Sequence, residues 1–132
     1  MSAEDRSALA IARSWLRRSP GPDAWSNLAA VYATKHPPDL RRARQWYRRA
    51  ALNRHERGLF EYGLMLIHGE GGPKRPVQGR RYLERAAALG QIDALKVLAY
   101  ALSEGAYGYR KSSTRAKMVE QRLRRALLSG SC

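Results

Sequence analysis

One eight-residue pattern recurs four times along the chain, and it constrains the fold more than any other feature. The copies read ARSWLRRS, ARQWYRRA, GRRYLERA and VEQRLRRA, at residues 12–19, 43–50, 79–86 and 119–126. They begin 31, 36 and 40 residues apart, a spacing typical of repeat proteins in which each unit buries its apolar face by stacking on the next. Such a chain is expected to bind another molecule rather than to catalyse a reaction.

A second pattern, which lies between these copies, completes the repeat unit. Small or apolar residues recur there with helical spacing, as one stripe of a helix requires. The three stripes are Ala24, Leu28, Ala29 and Tyr32, then Leu59, Tyr62, Gly63 and Leu66, then Ala94, Leu98, Ala99 and Leu102. Each unit is therefore predicted to be a hairpin of two helices.

Proline, glycine and capping residues divide the chain into seven predicted helices. Glu4 and Asp5 suit the positive end of the first helix, and breaks follow at residues 19–22, 37–39 and 69–73. The helices are expected near residues 3–18, 24–34, 39–54, 57–68, 76–89, 91–103 and 112–128. No segment alternates with the two-residue period of a strand, so the fold class is predicted to be all-α.

The second unit, residues 59–90, resembles a Sel1-like repeat, a relative of the tetratricopeptide repeat with a glycine-bearing turn after its first helix. The matching positions are Gly63, Gly69, Gly71, Ala86, Ala87 and Gly90. The other units depart from the pattern, because Lys35 replaces the turn glycine, the sequence around Arg54 lacks the terminal glycine, and the loop 107–111 is longer. The resemblance covers about residues 23–130.

This resemblance implies a short right-handed α-solenoid of antiparallel helix hairpins that acts as a protein-interaction scaffold. The family it resembles has no common catalytic residues. The chain would form one domain over residues 1–132. It would consist of an N-terminal capping helix at 1–19 and repeat units at 23–54, 57–90 and 91–130.

The capping assignment predicts that Trp15 and Trp46 occupy equivalent buried positions, since ARSWLRRS matches ARQWYRRA closely. The alternative is a chance similarity between two amphipathic helices in an arginine-rich chain. In either case Trp15, Trp46 and Tyr82 are expected to be packing residues rather than ligand contacts.

The net charge of +14 is concentrated on one class of helix. The segments that hold the eight-residue copies, 12–19, 39–54, 76–90 and 112–128, contain 17 of the 25 lysines and arginines and three of the 11 acidic residues. The remaining residues carry eight charges of each sign. Stacking would align these helices into a basic wall along the solenoid.

Two interpretations of this wall stay open. In one, solvent-facing positions are filled with arginine for reasons of composition, since Arg outnumbers Lys by 20 to 5. In the other, the wall recognises an acidic partner, because arginine pairs bidentately with carboxylates and phosphates. The residues that would bind it are Arg17, Arg18, Arg41, Arg42, Arg48, Arg49, Arg80, Arg81, Arg124 and Arg125. Adjacent helix residues point about 100° apart, so each pair covers a broad face and does not form one tight pocket.

The first helices of the hairpins offer a second candidate surface. In tetratricopeptide-like solenoids these helices line a groove, and an apolar series along them would bind a helix or an extended peptide. The candidate residues are Val31, Glu61, Met65, Lys96 and Tyr100. The alternative is that the apolar members belong to the core between neighbouring units.

Chemistry-bearing motifs are nearly absent. His36, His55 and His68 lack metal-ligand spacing, and residues 69–74 lack the features of a phosphate-binding loop. The single cysteine, Cys132, has no internal disulfide partner and is not a prenylation site. No enzyme activity, metal or cofactor is therefore predicted.

The cytoplasm is the expected location, because the acidic start lacks a secretory pattern and no apolar run approaches a membrane span. The predicted function is binding of an acidic protein, as an adaptor, a chaperone or an immunity protein for a secreted effector. A basic immunity protein would not suit a basic nuclease toxin. Sequence-independent nucleic-acid binding through the arginines is the alternative, and a membrane surface is a weaker one.

Overall fold

The computed structural model describes residues 1–130 and contains seven helices over that range. They are α1 (Ala3–Arg18), α2 (Pro22–Thr34), α3 (Leu40–Leu52), α4 (Glu56–His68), α5 (Pro76–Ala88), α6 (Ile92–Glu104) and α7 (Ser113–Ser129). Each helix packs on the next one along the chain. The all-α solenoid is confirmed, and every predicted helix end lies within two residues of the observed one. Cys132 lies outside the described residues.

The helices fall into two groups with different surroundings. The arginine-rich helices α1, α3, α5 and α7 carry the eight-residue copies and keep one broad face exposed. The apolar helices α2, α4 and α6 are more deeply buried, and the core lies between the two groups. Leu28, Leu66, Leu83, Leu95 and Leu102 are its largest fully buried side chains.

Each hairpin closes with the same backbone hydrogen bond. The residue that caps the arginine-rich helix donates its N–H to a carbonyl near the end of the preceding apolar helix. The three bonds are Asp39 to Tyr32 at 2.8 Å, Arg75 to Leu66 at 2.7 Å and Ser112 to Leu102 at 2.8 Å. The three stripes aligned in the sequence therefore end at equivalent structural positions.

Two non-glycine residues have a left-handed backbone, Arg54 with φ of 60° and Tyr107 with φ of 58°. Arg54 stands where the next unit has Gly90, and the N–H groups of both residues donate to equivalent carbonyls at the end of α3 and of α5. Tyr107 likewise follows Gly105 by two residues, as Gly71 follows Gly69. At these two positions the residue is not glycine, but the backbone keeps the left-handed conformation that glycine adopts most readily.

The prediction that Trp15 and Trp46 are equivalent buried residues is wrong. Trp15 is 40% exposed and Trp46 is only half-buried. The next residue along the helix faces the core more fully, since Tyr47 and Leu83 are buried there, and of the three aromatic residues at the fourth position only Tyr82 is buried. One residue is a rotation of about 100°, which is enough to turn a side chain out of the interface.

Tyr82 does pack in the interior, as predicted. It is buried, and its ring centroid lies 5.1 Å from that of Tyr62 in an edge-to-face arrangement. This contact joins α4 and α5 within the hairpin that most resembles the Sel1 pattern.

Gly63 of α4 and Gly79 of α5 bring these two helices into close contact. A Cβ atom on Gly79 would lie 2.6 Å from the Gly63 carbonyl oxygen and 2.8 Å from Cγ1 of Ile67. A Cβ atom on Gly63 would lie 2.9 Å from the Gly79 carbonyl oxygen. The backbones therefore touch where any side chain would separate them.

We expect Gly79→Ala to destabilise the protein by about 1–3 kcal/mol, because the methyl group overpacks this crossing and backbone atoms must move to make room. Gln78→Ala, on the exposed side of the same helix, is the control and should change stability by less than about 0.5 kcal/mol. Urea unfolding followed by circular dichroism measures both variants. Equal stability of the two variants would contradict the close contact.

Candidate functional site

The ten arginines predicted to form the basic wall lie on the four arginine-rich helices. All are exposed except Arg80, which is half-buried. Seven of them have side chains that make no hydrogen bond or ion pair with any residue from 1 to 130: Arg17, Arg18, Arg41, Arg48, Arg81, Arg124 and Arg125. These guanidinium groups keep all their donors available.

The other three, Arg42, Arg49 and Arg80, contact the protein itself, and Arg80 is one of the residues that join units. Arg49 places its guanidinium 4.2 Å from the ring centroid of Trp25 and 5.7 Å from that of Trp46. Arg42 lies 5.7 Å from the Tyr32 ring and forms an exposed ion pair with the capping residue of α3. Such contacts hold the side chains near α2 and leave their outer edges in solvent.

A further set of arginines joins neighbouring units, and it occupies the second position of the eight-residue pattern in the first three copies. Arg13 donates to the Tyr32 hydroxyl at 3.3 Å. Arg44 donates to the Glu70 carbonyl at 3.2 Å, and Arg80 donates to the Tyr107 carbonyl at 3.1 Å. Each arginine thus reaches from its own helix to the next hairpin.

Reasoning from the sequence missed Arg13 and Arg44 and assigned Arg80 to the basic wall, although the repeated arginine at one position of the pattern was the available signal. The contacts of all three are intramolecular, and Arg44 is buried. Because each guanidinium donates to a backbone carbonyl of the neighbouring hairpin, Arg44 and Arg80 act mainly as structural residues. The fourth copy has Glu120 at this position, and α7 instead uses Arg122, which donates to the Ala87 carbonyl at 3.0 Å.

Two glycines make room for these guanidinium groups. A Cβ atom on Gly72 would lie 3.0 Å from Cζ of Arg44, and one on Gly108 would overlap Nη1 of Arg80. Each glycine lies 28 positions after its arginine. The loop 107–111, which interrupts the repeat pattern in sequence, therefore preserves this contact.

One cleft, termed the arginine cleft, lies between α3 and the turn after α4. Its volume is about 480 Å³, and it is lined by Arg41, Arg44, Gln45, Arg48, Gly71, Gly72 and Pro73. No acidic side chain lines it. The spacing of three, four and seven residues places the arginines on one side of α3, a grouping that the tandem pairs did not reveal.

A second cleft, termed the leucine cleft, lies where α3 and α5 end, and its volume is about 460 Å³. Its main lining residues are Leu52, Arg54, Leu59, Tyr82, Arg85 and Leu89. Leu52 is 56% exposed and Leu89 is 51% exposed. The cleft thus combines accessible apolar surface with two cations. It was not predictable from the sequence because it forms between helices of different units.

The groove predicted along the apolar helices is not a continuous apolar strip. Met65 does not line it, because its side chain packs in the core and is only 5% exposed. Val31 and Glu61 are half-buried, whereas Lys96 and Tyr100 are exposed. The interpretation that the apolar members belong to the core therefore holds for Met65.

Tyr100 belongs to an aromatic group at the end of α6. Its ring centroid lies 6.3 Å from that of Tyr107, which in turn lies 5.2 Å from the His68 ring. These rings connect α6 and the following loop to the end of α4. Tyr100 thus presents an exposed aromatic edge rather than part of a long strip.

Glu61 lies in a charged network between α4 and α6. Arg57 contacts Glu61 at 3.1 Å and Asp93 at 3.5 Å. Burial raises the pKa of the Glu61 carboxyl above its ordinary value of 4.5, and the attraction of Arg57 opposes this effect only in part. The two further carboxylates Asp93 and Glu70 also raise the pKa.

Residues 1–130 contain neither a metal-binding cluster nor a membrane-spanning helix. No group of three or more histidine, cysteine, aspartate or glutamate side chains in this range is arranged to hold a metal ion. None of the seven helices is long and apolar enough to cross a membrane.

Comparisons with known proteins agree with this architecture. The family model described as the Sel1 repeat matches residues 27–55 and 57–91. The crystal structure of a Sel1 repeat protein from Oxalobacter formigenes has a TM-score of 0.79 and 19% sequence identity over 89% of this chain and 47% of that chain. The chain thus spans about half the length of that protein, and a similarity at this identity shows the fold alone. No curated protein matches the sequence.

The chain contains Sel1-like repeats at residues 27–55 and 57–91, which confirms the resemblance predicted from its sequence. Sel1 repeats generally mediate protein–protein interactions, and proteins built from them are typically non-enzymatic. The first match begins at residue 27, within the predicted first unit, and the second closely overlaps the unit that carried the resemblance.

We expect Arg44→Ala to destabilise the protein by about 1–3 kcal/mol, because the Glu70 carbonyl loses its charged donor and the buried side-chain stem is removed. Arg48→Ala, one helical turn further along the same face, is the matched control and should change stability by less than about 0.5 kcal/mol. Thermal and urea unfolding report the difference. Two variants of equal stability would show that Arg44 is not a structural residue.

We expect Glu61→Gln to stabilise the protein at pH 7 and to have a smaller effect at pH 4. The folded wild-type protein retains the Glu61 proton to a higher pH than the unfolded chain does, so its stability falls as pH rises through the interval above 4.5. Glutamine removes this dependence and still accepts a hydrogen bond from Arg57. Unfolding curves of both proteins from pH 4 to pH 7 give the difference in their free energies of unfolding. The sign of this difference at pH 7 would reverse if the attraction of Arg57 outweighed the effect of burial.

Proposed function

We propose that this protein is a non-enzymatic binding module that recognises an acidic segment of a protein partner through the arginine-rich helices. The observation that supports this function is the set of seven exposed arginines whose side chains have no hydrogen-bond or ion-pair partner within residues 1–130. Arginine forms bidentate hydrogen bonds with carboxylates, and an uncompensated positive surface increases the rate at which an acidic partner associates.

The arginine cleft is the part of this surface best suited to hold carboxylates. Arg41 and Arg48 are free to contact a ligand from the two ends of the cleft, whereas Arg44 adds a fixed positive charge between them. An adaptor and an inhibitor of an acidic effector would both use the surface in this way. The proposed location of either activity is the cytoplasm.

Nucleic acid is the second candidate ligand, since phosphates also suit exposed arginines. Trp15 is exposed close to Arg17 and Arg18 in the sequence, which offers one base-stacking surface. Proteins that bind single strands combine several such aromatic side chains with a basic groove. Tyr47 and Tyr82, at neighbouring positions in the later copies, are buried and cannot stack on bases.

We expect the double variant R41E/R48E to lose an acidic protein partner that the wild type captures from nuclease-treated lysate at moderate salt. The control K96E/R110E changes the net charge equally but places the reversals on α6 and the loop after it. The captured protein is then purified and its affinity for all three proteins is measured at several salt concentrations, because surface ion pairs weaken as ionic strength rises.

Three outcomes would contradict the proposal. If K96E/R110E lost the partner while R41E/R48E still bound it, recognition would lie on α6 and the loop after it. Equal binding by all three proteins would exclude the arginine cleft. Recovery of nucleic acid alone, only when nuclease is omitted, would favour the second candidate.

A further inference from the structure

The leucine cleft combines exposed leucines with arginines that have no acidic neighbour in its lining. Its rim carries Leu52 and Leu89, each more than half exposed. Its walls carry Arg54 and Arg85, and no carboxylate lines it. Apolar side chains that stay accessible beside unneutralised cations suit a ligand that is both apolar and negatively charged.

Both arginines are available to such a ligand. The Arg54 side chain makes no hydrogen bond or ion pair within residues 1–130. Arg85 has one described contact, with its guanidinium 5.6 Å from the Tyr82 ring centroid. Stacking on an aromatic ring holds a guanidinium in place and leaves its N–H edges free to donate.

The backbone at Arg54 supplies an independent observation. Its left-handed φ of 60° is matched by Gly90 with φ of 85° at the end of the next unit. Glycine adopts this conformation without the steric cost that a Cβ atom introduces. An arginine held there at that cost indicates a use for its side chain, since strained residues collect at binding sites.

We infer that the leucine cleft binds a protein segment in which a branched apolar side chain stands beside a carboxylate. The apolar side chain would fill the space between Leu52, Leu59 and Leu89, and the carboxylate would accept hydrogen bonds from Arg54 and Arg85. This inference rests on the proposed function and assigns part of the specificity for an acidic partner to this cleft.

Three labelled eight-residue peptides test the inference. The first has two leucines between an aspartate and a glutamate in a serine and glycine background. The second replaces the leucines with serine, and the third replaces the acids with asparagine and glutamine. Amide chemical shifts of the 132-residue protein, followed by NMR during titration, report where each peptide binds and how tightly.

We expect the first peptide to bind at least about fivefold more tightly than either other peptide and to shift the amides around Leu52, Arg54 and Leu89. R54G and R85Q should each weaken it about 5–10-fold, which corresponds to one charge-assisted hydrogen bond. R110Q, which removes an equal charge from the exposed loop between α6 and α7, should have little effect. R54G should unfold at or above the wild-type midpoint, so its loss of binding would not come from misfolding.

The other outcomes separate the two proposals. Equal binding of the first and second peptides would overturn the inference by showing that charge alone is recognised. Weakening by R41E/R48E but not by R54G or R85Q would also overturn it and leave the proposed function standing. Absence of binding by any acidic peptide would contradict both.

Discussion

Small side chains determine how closely the helices approach, and the remaining contacts depend on that distance. Gly63 and Gly79 let α4 and α5 touch through their backbones, and Gly58 lies where a Cβ atom would be 2.6 Å from Cβ of Ala50. At such separations the leucines of adjacent helices fill the remaining space without large gaps. The same proximity brings the arginine-rich helices near the turns of the next unit, which makes the contacts of Arg44 and Arg80 geometrically accessible.

Arginine has two roles in this structure, and position on the helix decides between them. At the second position of the second and third copies, the guanidinium groups of Arg44 and Arg80 donate to carbonyls of the neighbouring hairpin. At seven exposed positions an arginine side chain remains in solvent with no hydrogen-bond or ion-pair partner within residues 1–130. Composition alone therefore does not describe the positive charge of this chain, because part of it is structural and part is available for binding.

The sequence was sufficient for the fold because its signals are local. The recurring pattern, the apolar stripes and the proline and glycine breaks predicted all seven helices, and the departures at Arg54 and Tyr107 coincide with the two non-glycine left-handed residues in the described chain. The burial of Trp15 was mispredicted, because periodicity leaves the rotation of a helix uncertain by one residue. The clefts were not predictable, since their walls come from elements whose relative placement is set by packing.

Gly72 makes room for the guanidinium of Arg44, and Gly108 makes room for that of Arg80. The position of each cation therefore depends on a glycine that lies 28 residues further along the chain. A side chain larger than hydrogen at either glycine would displace the guanidinium from its carbonyl and move that cation toward the solvent. Substitutions in a turn would then alter the electrostatic surface of a helix one unit away without changing any charged residue. In evolutionary terms, the two members of each pair are expected to vary together, and the turn glycines offer a route by which related chains could acquire different binding preferences on the same scaffold.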